Sequence, residues 1–339
     1  MVGKIIVGAI GAGRIGKLHI ENIAHNLPDV RIKTVADIKI DHLKEWAQTV
    51  GIGKLTTDAN EIFKDPEIQA VLIFSSTDTH SKYIIEAAKA KKDIFCEKPI
   101  DYDLARIKTT LKAVKDAGVK LMMGFNRRFD HNFRRVRKAV ESDEIGSPLI
   151  IKITSRDPAP PPLEYVKVSG GLFFDMTVHD WDMARYLAGE EVEEVYAMGD
   201  VKISPEIKGI DIDTAVATLK FKSGAMGIID NCRKAVYGYD QRVEVFGTKG
   251  GAWVENDTPN NAKIFAADAI KADKIHHFFL ERYMQSYTDE MKEFFTCLKE
   301  NKTPSVGGID GLNAILIAMA AMKSLKEHRP VKISEVDTV

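Results

Sequence analysis

Ile5-Ile6-Val7-Gly8-Ala9-Ile10-Gly11-Ala12-Gly13-Arg14-Ile15-Gly16 is the stretch that decides the fold. The apolar run from Ile5 to Ile10 has no polar alternation, so it reads as a parallel strand buried on both faces. Three glycines follow at once, and Lys17 to Ala24 continues as a helix. In that setting the spacing G-x-G-x-x-G has a physical meaning. The first glycine makes the tight turn and the second lets a pyrophosphate approach the backbone. The third lets the helix pack close to the strand, with its N-terminal amides facing the phosphates. The alternative is a tight strand-to-helix turn with no ligand. Arg31 to Ala36 reads as the second strand, and Asp37 stands at its end. A carboxylate there accepts bonds from the adenosine ribose and repels a 2′-phosphate, which favours NAD over NADP. Lys33 and Lys39 nearby pull the other way, and a helix cap before Asp41 to Ala47 is the plainer task for Asp37.

Outward from that stretch the alternation continues. Ala70 to Phe74 reads as a strand ending in Ser75-Ser76-Thr77-Asp78-Thr79-His80, and Tyr83 to Ala90 as a helix. Asp93 to Cys96 is a strand ending in Glu97-Lys98-Pro99. Asp103 to Ala117 is a helix with Gly118 as its stop, and Lys120 to Gly124 is a further strand. Strands alternating with helices imply a doubly wound parallel α/β sheet of the Rossmann type, whose ligands bind outside the carboxyl ends of the strands. Lys98 therefore stands at the mouth of a cofactor site, and Pro99 biases its backbone towards an extended form.

Size and charge narrow the class. At 339 residues two domains are expected, cut at residues 1–124 and 125–339. Lys plus Arg number 48 against 49 Asp plus Glu, a balance that argues against nucleic acid or an acidic membrane as partner. Cys96, Cys232 and Cys297 are scattered and odd in number, which fits a reducing cytoplasm and offers no zinc spacing. The apolar run from Ala314 to Met322 is too short to span a bilayer.

The second stretch of note is Gly170-Gly171-Leu172-Phe173-Phe174-Asp175-Met176-Thr177-Val178-His179-Asp180-Trp181-Asp182. On one helix, Asp175, His179 and Asp182 share a face. Their apolar neighbours suggest burial, where ionisable groups need a reason. The plain reading makes Asp175 a helix N-cap and His179 a satisfied core histidine. Glu194 to Val201, Thr214 to Phe221, Ala225 to Asn231, Gln241 to Phe246 and Gly251 to Glu255 read as strands joined in part by short turns. Glu281 to Leu298 and Leu312 to Lys326 read as helices. The second half is thus an α+β domain with an open, largely antiparallel sheet.

The glycine turn, Glu97-Lys98-Pro99, Gly124-Phe125-Asn126-Arg127-Arg128-Phe129 and Asp175-x-x-x-His179, in that order, resemble the Gfo/Idh/MocA oxidoreductase family over essentially the whole chain. Ser155 to Pro162 and Gly170 to Arg185 are similar to its inositol 2-dehydrogenases. The resemblance implies a catalytic group of Lys98, Asp175 and His179. It implies that Gly11, Gly13, Arg14, Ile15, Asp37, Ser75, Ser76, Thr77, His80 and Glu97 line NAD, and it makes Arg128, Asp157 and Tyr283 candidates for substrate hydroxyls. It also implies a homo-oligomer, commonly a tetramer, paired through the open sheet. The expected reaction is oxidation of a cyclic polyol, myo-inositol to 2-keto-myo-inositol, with scyllo-inositol and glucose as the nearest alternatives. No metal is expected. The competing set is Asp175, His179 and His276 or His277 around zinc, and a dinucleotide-sensing regulator without catalysis is the remaining class.

Overall fold

The computed structural model describes residues 4–337. The chain divides into two compact units. The first holds the chain up to Asn126 together with Gln285–Asn313. The second holds Arg127–Met284 and the chain from Ala314 onward. The expectation of one cut near residue 124 treats the second half as contiguous. Two helices depart from that: α10 (Phe279–Lys299) starts in the second unit and continues into the first, and α11 (Gly308–Glu327) starts in the first and continues into the second. Tyr287 and Phe294 on the α10 continuation set their rings against His19 and Phe95, so that helix completes the first core.

The first unit is a six-stranded parallel sheet of β1 (Ile5–Ile10), β2 (Val30–Ala36), β3 (Lys54–Thr56), β4 (Ala70–Ile73), β5 (Asp93–Glu97) and β6 (Leu121–Gly124). Its order is β3-β2-β1-β4-β5-β6. The order reverses between β1 and β4, and the crevice at such a switch is where dinucleotides bind. Helices α1 (Arg14–Asn26), α2 (Lys44–Thr49), α3 (Asn60–Lys64), α4 (Thr77–Lys89) and α5 (Leu104–Ala117) join the strands. β4 is buried at all four positions, as a central strand covered on both faces must be. The α5 boundaries follow from its caps. Asp103 accepts the Arg106 N–H at 2.8 Å, and Gly118 takes φ 67°, a left-handed turn open to glycine. Sequence reading misses β3, because Lys-Leu-Thr carries no apolar run; the strand exists through its pairing with β2.

In the second unit, α6 (His131–Glu141) starts at Asp130, which accepts the Asn132 and Phe133 amides at 3.0 Å each. β7 (Pro148–Arg156) leads through α7 (Leu163–Val166), α8 (Leu172–Asp175) and α9 (Val178–Ala188) to β8 (Val192–Asp200), β9 (Thr214–Phe221) and β10 (Met226–Cys232). β11 (Asp240–Gly247), β12 (Gly251–Val254), the hairpin β13 (Lys263–Phe265) and β14 (Ile270–Ala272), α11 (Gly308–Glu327) and β15 (Val331–Lys332) complete the order. The seven-stranded sheet runs β12-β11-β7-β10-β9-β8-β15, antiparallel except for β7 and β10. Along β9 every second residue is buried, so one face of the sheet meets the core and the other does not. Helix α11 is long and apolar enough to cross a membrane by composition. Ala314 to Ala318, Ala320 and Ala321 are nevertheless all buried within the protein, as in a core helix.

Candidate active site

The glycine turn has the geometry its spacing requires. Gly11 sits at φ 93°, and a side chain there would meet the Phe74 and Ser75 backbone at 2.7–2.8 Å. A Cβ on Gly16 would come 2.2 Å from the Gly11 carbonyl, so the first turn of α1 lies against the end of β1. A Cβ on Gly13 would meet nothing within 4 Å, which leaves its backbone open to an incoming group. Asp37 is tied into the same turn. One carboxylate oxygen accepts the Ala12 N–H and the other the Lys39 N–H, each at 2.8 Å. Each oxygen keeps a lone pair for a further donor. Arg14 and Ser76 are exposed at this edge, and Ile15, Ser75 and Thr77 are half-buried.

At the next strand end Glu97 and Lys98 are half-buried, and the Lys98–Pro99 peptide is cis. The Glu97 carboxylate accepts the Lys98 N–H at 3.2 Å and lies 2.8 Å from Nε2 of His19. Together with Glu290 these donors form a group within 4.8 Å of one another.

In the second unit the continuous helix expected across Asp175 and His179 is broken. α8 ends at Asp175 and α9 starts at Val178. The break falls at Thr177, whose N–H donates to the Leu172 carbonyl at 2.9 Å and whose hydroxyl donates to the Asn231 side-chain oxygen at 2.8 Å. Asp175 and His179 therefore stand on two short helices and remain half-buried. Asp175 accepts the Tyr165 hydroxyl at 2.7 Å and an Arg233 N–H at 3.1 Å. Arg233 also lies 3.5 Å from Asp157, so one buried guanidinium joins two candidate carboxylates. Burial pushes the Asp157 carboxyl up to about 6, against the opposing pull of Arg233.

Beneath these residues lies a network that sequence reading does not find. Arg127 donates to Asp180 at 2.5 Å, and Asn231 donates to the other Asp180 oxygen at 2.8 Å. Burial pushes the Asp180 carboxyl up, and Arg127 opposes it. Arg127 and Asp180 are 53 residues apart, with no local signal to link them.

Two family models match the chain. Residues 5–125 match the oxidoreductase family with an NAD-binding Rossmann fold, and residues 133–253 match the GFO/IDH/MocA C-terminal domain. The chain belongs to the Gfo/Idh/MocA oxidoreductase family. It is 49% identical over 331 residues to the myo-inositol 2-dehydrogenase of Thermotoga maritima, covering 97% of this chain and 99% of that one. It is 34% identical over 334 residues to the scyllo-inositol 2-dehydrogenase (NAD(+)) of Bacillus subtilis, covering 98% and 97%. Among solved structures it is similar to scyllo-inositol dehydrogenase from Lactobacillus casei with bound NAD(H) and scyllo-inositol. The TM-score there is 0.91, with 28% identity, covering 98% of this chain and 99% of that one.

As in its Gfo/Idh/MocA relatives, the cofactor of the first unit is NAD, and the residues present fit it. The open backbone at Gly13 and the pinned Asp37 are what a pyrophosphate and an adenosine ribose require. Three candidate contacts are placed otherwise. His80 is buried, with Nδ1 2.7 Å from the Pro99 carbonyl and Nε2 2.9 Å from that of Ser75. It ties two strand ends together and offers a ligand no ring edge. Arg128 spends its fork on Asp182, at 2.8 and 2.5 Å, over the Tyr186 ring. Tyr283 is 1% exposed, set edge-on to Tyr239 and under Arg282, so its hydroxyl reaches no surface. These residues look available in sequence because burial and the partners that hold them leave no signal in the residue pattern.

Proposed function

We propose that this protein is an NAD-dependent inositol 2-dehydrogenase that oxidises myo-inositol to 2-keto-myo-inositol. The observation that carries the reading is 49% identity along 97% of the chain to a relative named for that reaction. Bound NAD supplies the hydride acceptor at C4 of its nicotinamide. His179, half-buried on α9, takes the proton of the reacting hydroxyl. Lys98 stabilises the negative charge that develops on that oxygen. Asp175, held by Tyr165 and Arg233, presents a fixed carboxylate to the polyol. Asp157, joined to the same arginine, serves a second hydroxyl. In this reading Gly11, Gly13, Arg14, Ile15, Asp37, Ser75, Ser76, Thr77 and Glu97 line the cofactor, and the Asp37 carboxylate disfavours NADP.

The assembly is a homotetramer in the cytoplasm, serving inositol catabolism. Two separate apolar surfaces support the tetramer. Met198, Val216, Met226, Phe246 and Trp253 lie exposed along the seven-stranded sheet, and Ile264, Phe265 and Ile270 on the β13–β14 hairpin. Large exposed apolar patches mark interfaces, and a tetramer of paired dimers needs two kinds of contact. Light scattering at micromolar concentration reads the mass directly; a monomer contradicts the assembly.

Scyllo-inositol is the second substrate reading, carried by the 34% identical relative. NADH formation with myo-inositol, scyllo-inositol and glucose separates the readings. The largest kcat/KM is expected for myo-inositol, and activity on glucose with none on inositols overturns the assignment.

A further inference from the structure

Glu290 is fully buried on α10, and neither of its carboxyl oxygens has a hydrogen-bond partner among the described residues. One of its oxygens lies within 4.8 Å of both Glu97 and His19. His19 is itself fully buried. Its ring stacks on Phe74 with centroids 4.6 Å apart and stands edge-on to Phe95 and Tyr287. From that slot Nε2 reaches Glu97 at 2.8 Å, while the other Glu97 oxygen accepts the Lys98 amide at 3.2 Å. Behind it, a Cβ on Gly124 would stand 3.0 Å from the Glu97 carboxyl, so the glycine leaves the space that this side chain occupies.

Two readings compete for this group. The donors are of metal-binding types, but two ligands of one ion at bond lengths of about 2.0–2.2 Å sit roughly 3 Å or more apart. The 2.8 Å between His19 and Glu97 is the length of a hydrogen bond to a charged acceptor. A proton therefore explains the group better than a cation. An ionised Glu290 would be a buried charge with no donor, beside a second carboxylate. Burial, then the charges of Glu97 and Glu293, push its carboxyl well above the usual range. Among the described residues, the ionisable groups around the cluster also include Tyr287, His80, Cys96 and Lys98.

We propose that His19 and Glu290 are positioning residues for Lys98, acting through Glu97. His19 and the Lys98 amide hold the two oxygens of the Glu97 carboxylate. Glu290, as the neutral acid, fills the space behind without adding a second negative charge. One net charge then stands behind the lysine, and its backbone is fixed where the strand ends. The inference rests on the role proposed for Lys98 in polyol oxidation.

The test pairs infrared spectroscopy with kinetics on any alcohol the enzyme accepts. At neutral pH the wild-type spectrum is expected to show the C=O stretch of a protonated carboxyl that Glu290→Gln removes. Glu290→Ala should lower kcat by about tenfold and shift the pH profile, and Glu290→Gln, which keeps both shape and neutrality, should recover most of that loss. His19→Leu should lower kcat by about tenfold and shift the pH profile, with KM for NAD little changed, since Glu97 loses a donor. His19→Gln should recover most of that loss, because an amide N–H can replace Nε2–H. Three results overturn the proposal. They are no carboxyl band lost in Glu290→Gln, equal impairment of both His19 variants, and stoichiometric zinc whose removal lowers Tm. The infrared band does not depend on which polyol is turned over. Absence of myo-inositol oxidation alone therefore counts against the substrate reading and not against this one.

Discussion

The two units carry functional groups by different means. In the first, the candidate site is shaped largely by backbone. Gly11, Gly13 and Gly16 shape a turn, and Asp37 is fixed by amides of its own loop and of that turn. In the second, the candidate groups are side chains held by other side chains: Asp175 and Asp157 by Arg233, Asp180 by Arg127 and Asn231. A backbone site needs the right local conformation and little else. A side-chain site needs long-range partners to neutralise what burial makes costly. The first should therefore respond to steric changes, and the second to changes of charge.

The largest effect tests whether both kinds of site serve one reaction. His179→Ala should lose about 10²–10⁴-fold in kcat, the scale of general acid–base catalysis, while NADH binding measured by fluorescence persists. Lys98→Ala should lose at least a comparable factor. Near-wild-type turnover by His179→Ala would remove the proposed base.

Next in size is the buried pair. Arg127→Met strands the Asp180 charge, and urea unfolding should show a loss of about 3–5 kcal/mol. Arg127→Met with Asp180→Leu should regain much of it, because apolar groups of similar volume carry no stranded charge. Additive losses in the double variant would mean that the pair is not the unit of stability.

The glycine turn gives a smaller contrast. Gly16→Ala should cost about 1–3 kcal/mol, since its Cβ meets the Gly11 carbonyl at 2.2 Å. Gly13→Ala has open space and should fold as the wild type, yet bind NAD more weakly. Equal stability of the two variants would contradict the geometry.

The smallest effect is the pH dependence at Asp157. Its folded carboxyl is raised to about 6 by burial, so the native state holds the proton more tightly than the unfolded chain. That contribution is fully present below the unfolded pKa and is lost as pH rises through about 6. Relative to wild type, Asp157→Asn should therefore gain stability between about pH 4 and 7, on the order of 1–3 kcal/mol. An unchanged difference across that range would show that Arg233 fully offsets burial.

Much was determined by the sequence alone. Five of the six strands, the glycine turn, Asp37 and Glu97-Lys98 of the first unit follow from local rules, because a parallel strand and its βα turn are set by residues a few positions apart. The order of motifs carried the family, and strand-forming runs joined in part by short turns carried β8 to β12 of the second unit. Tertiary structure decided the rest. It broke the Asp175–His179 helix at Thr177, returned Gln285–Asn313 to the first unit, and gave β3 its place as a partner of β2. It also buried His80, Arg128 and Tyr283, which read as open candidates along the chain. Burial and charge pairing are properties of neighbours brought together from far along the chain, and a single sequence records which residues can pair but not which ones meet.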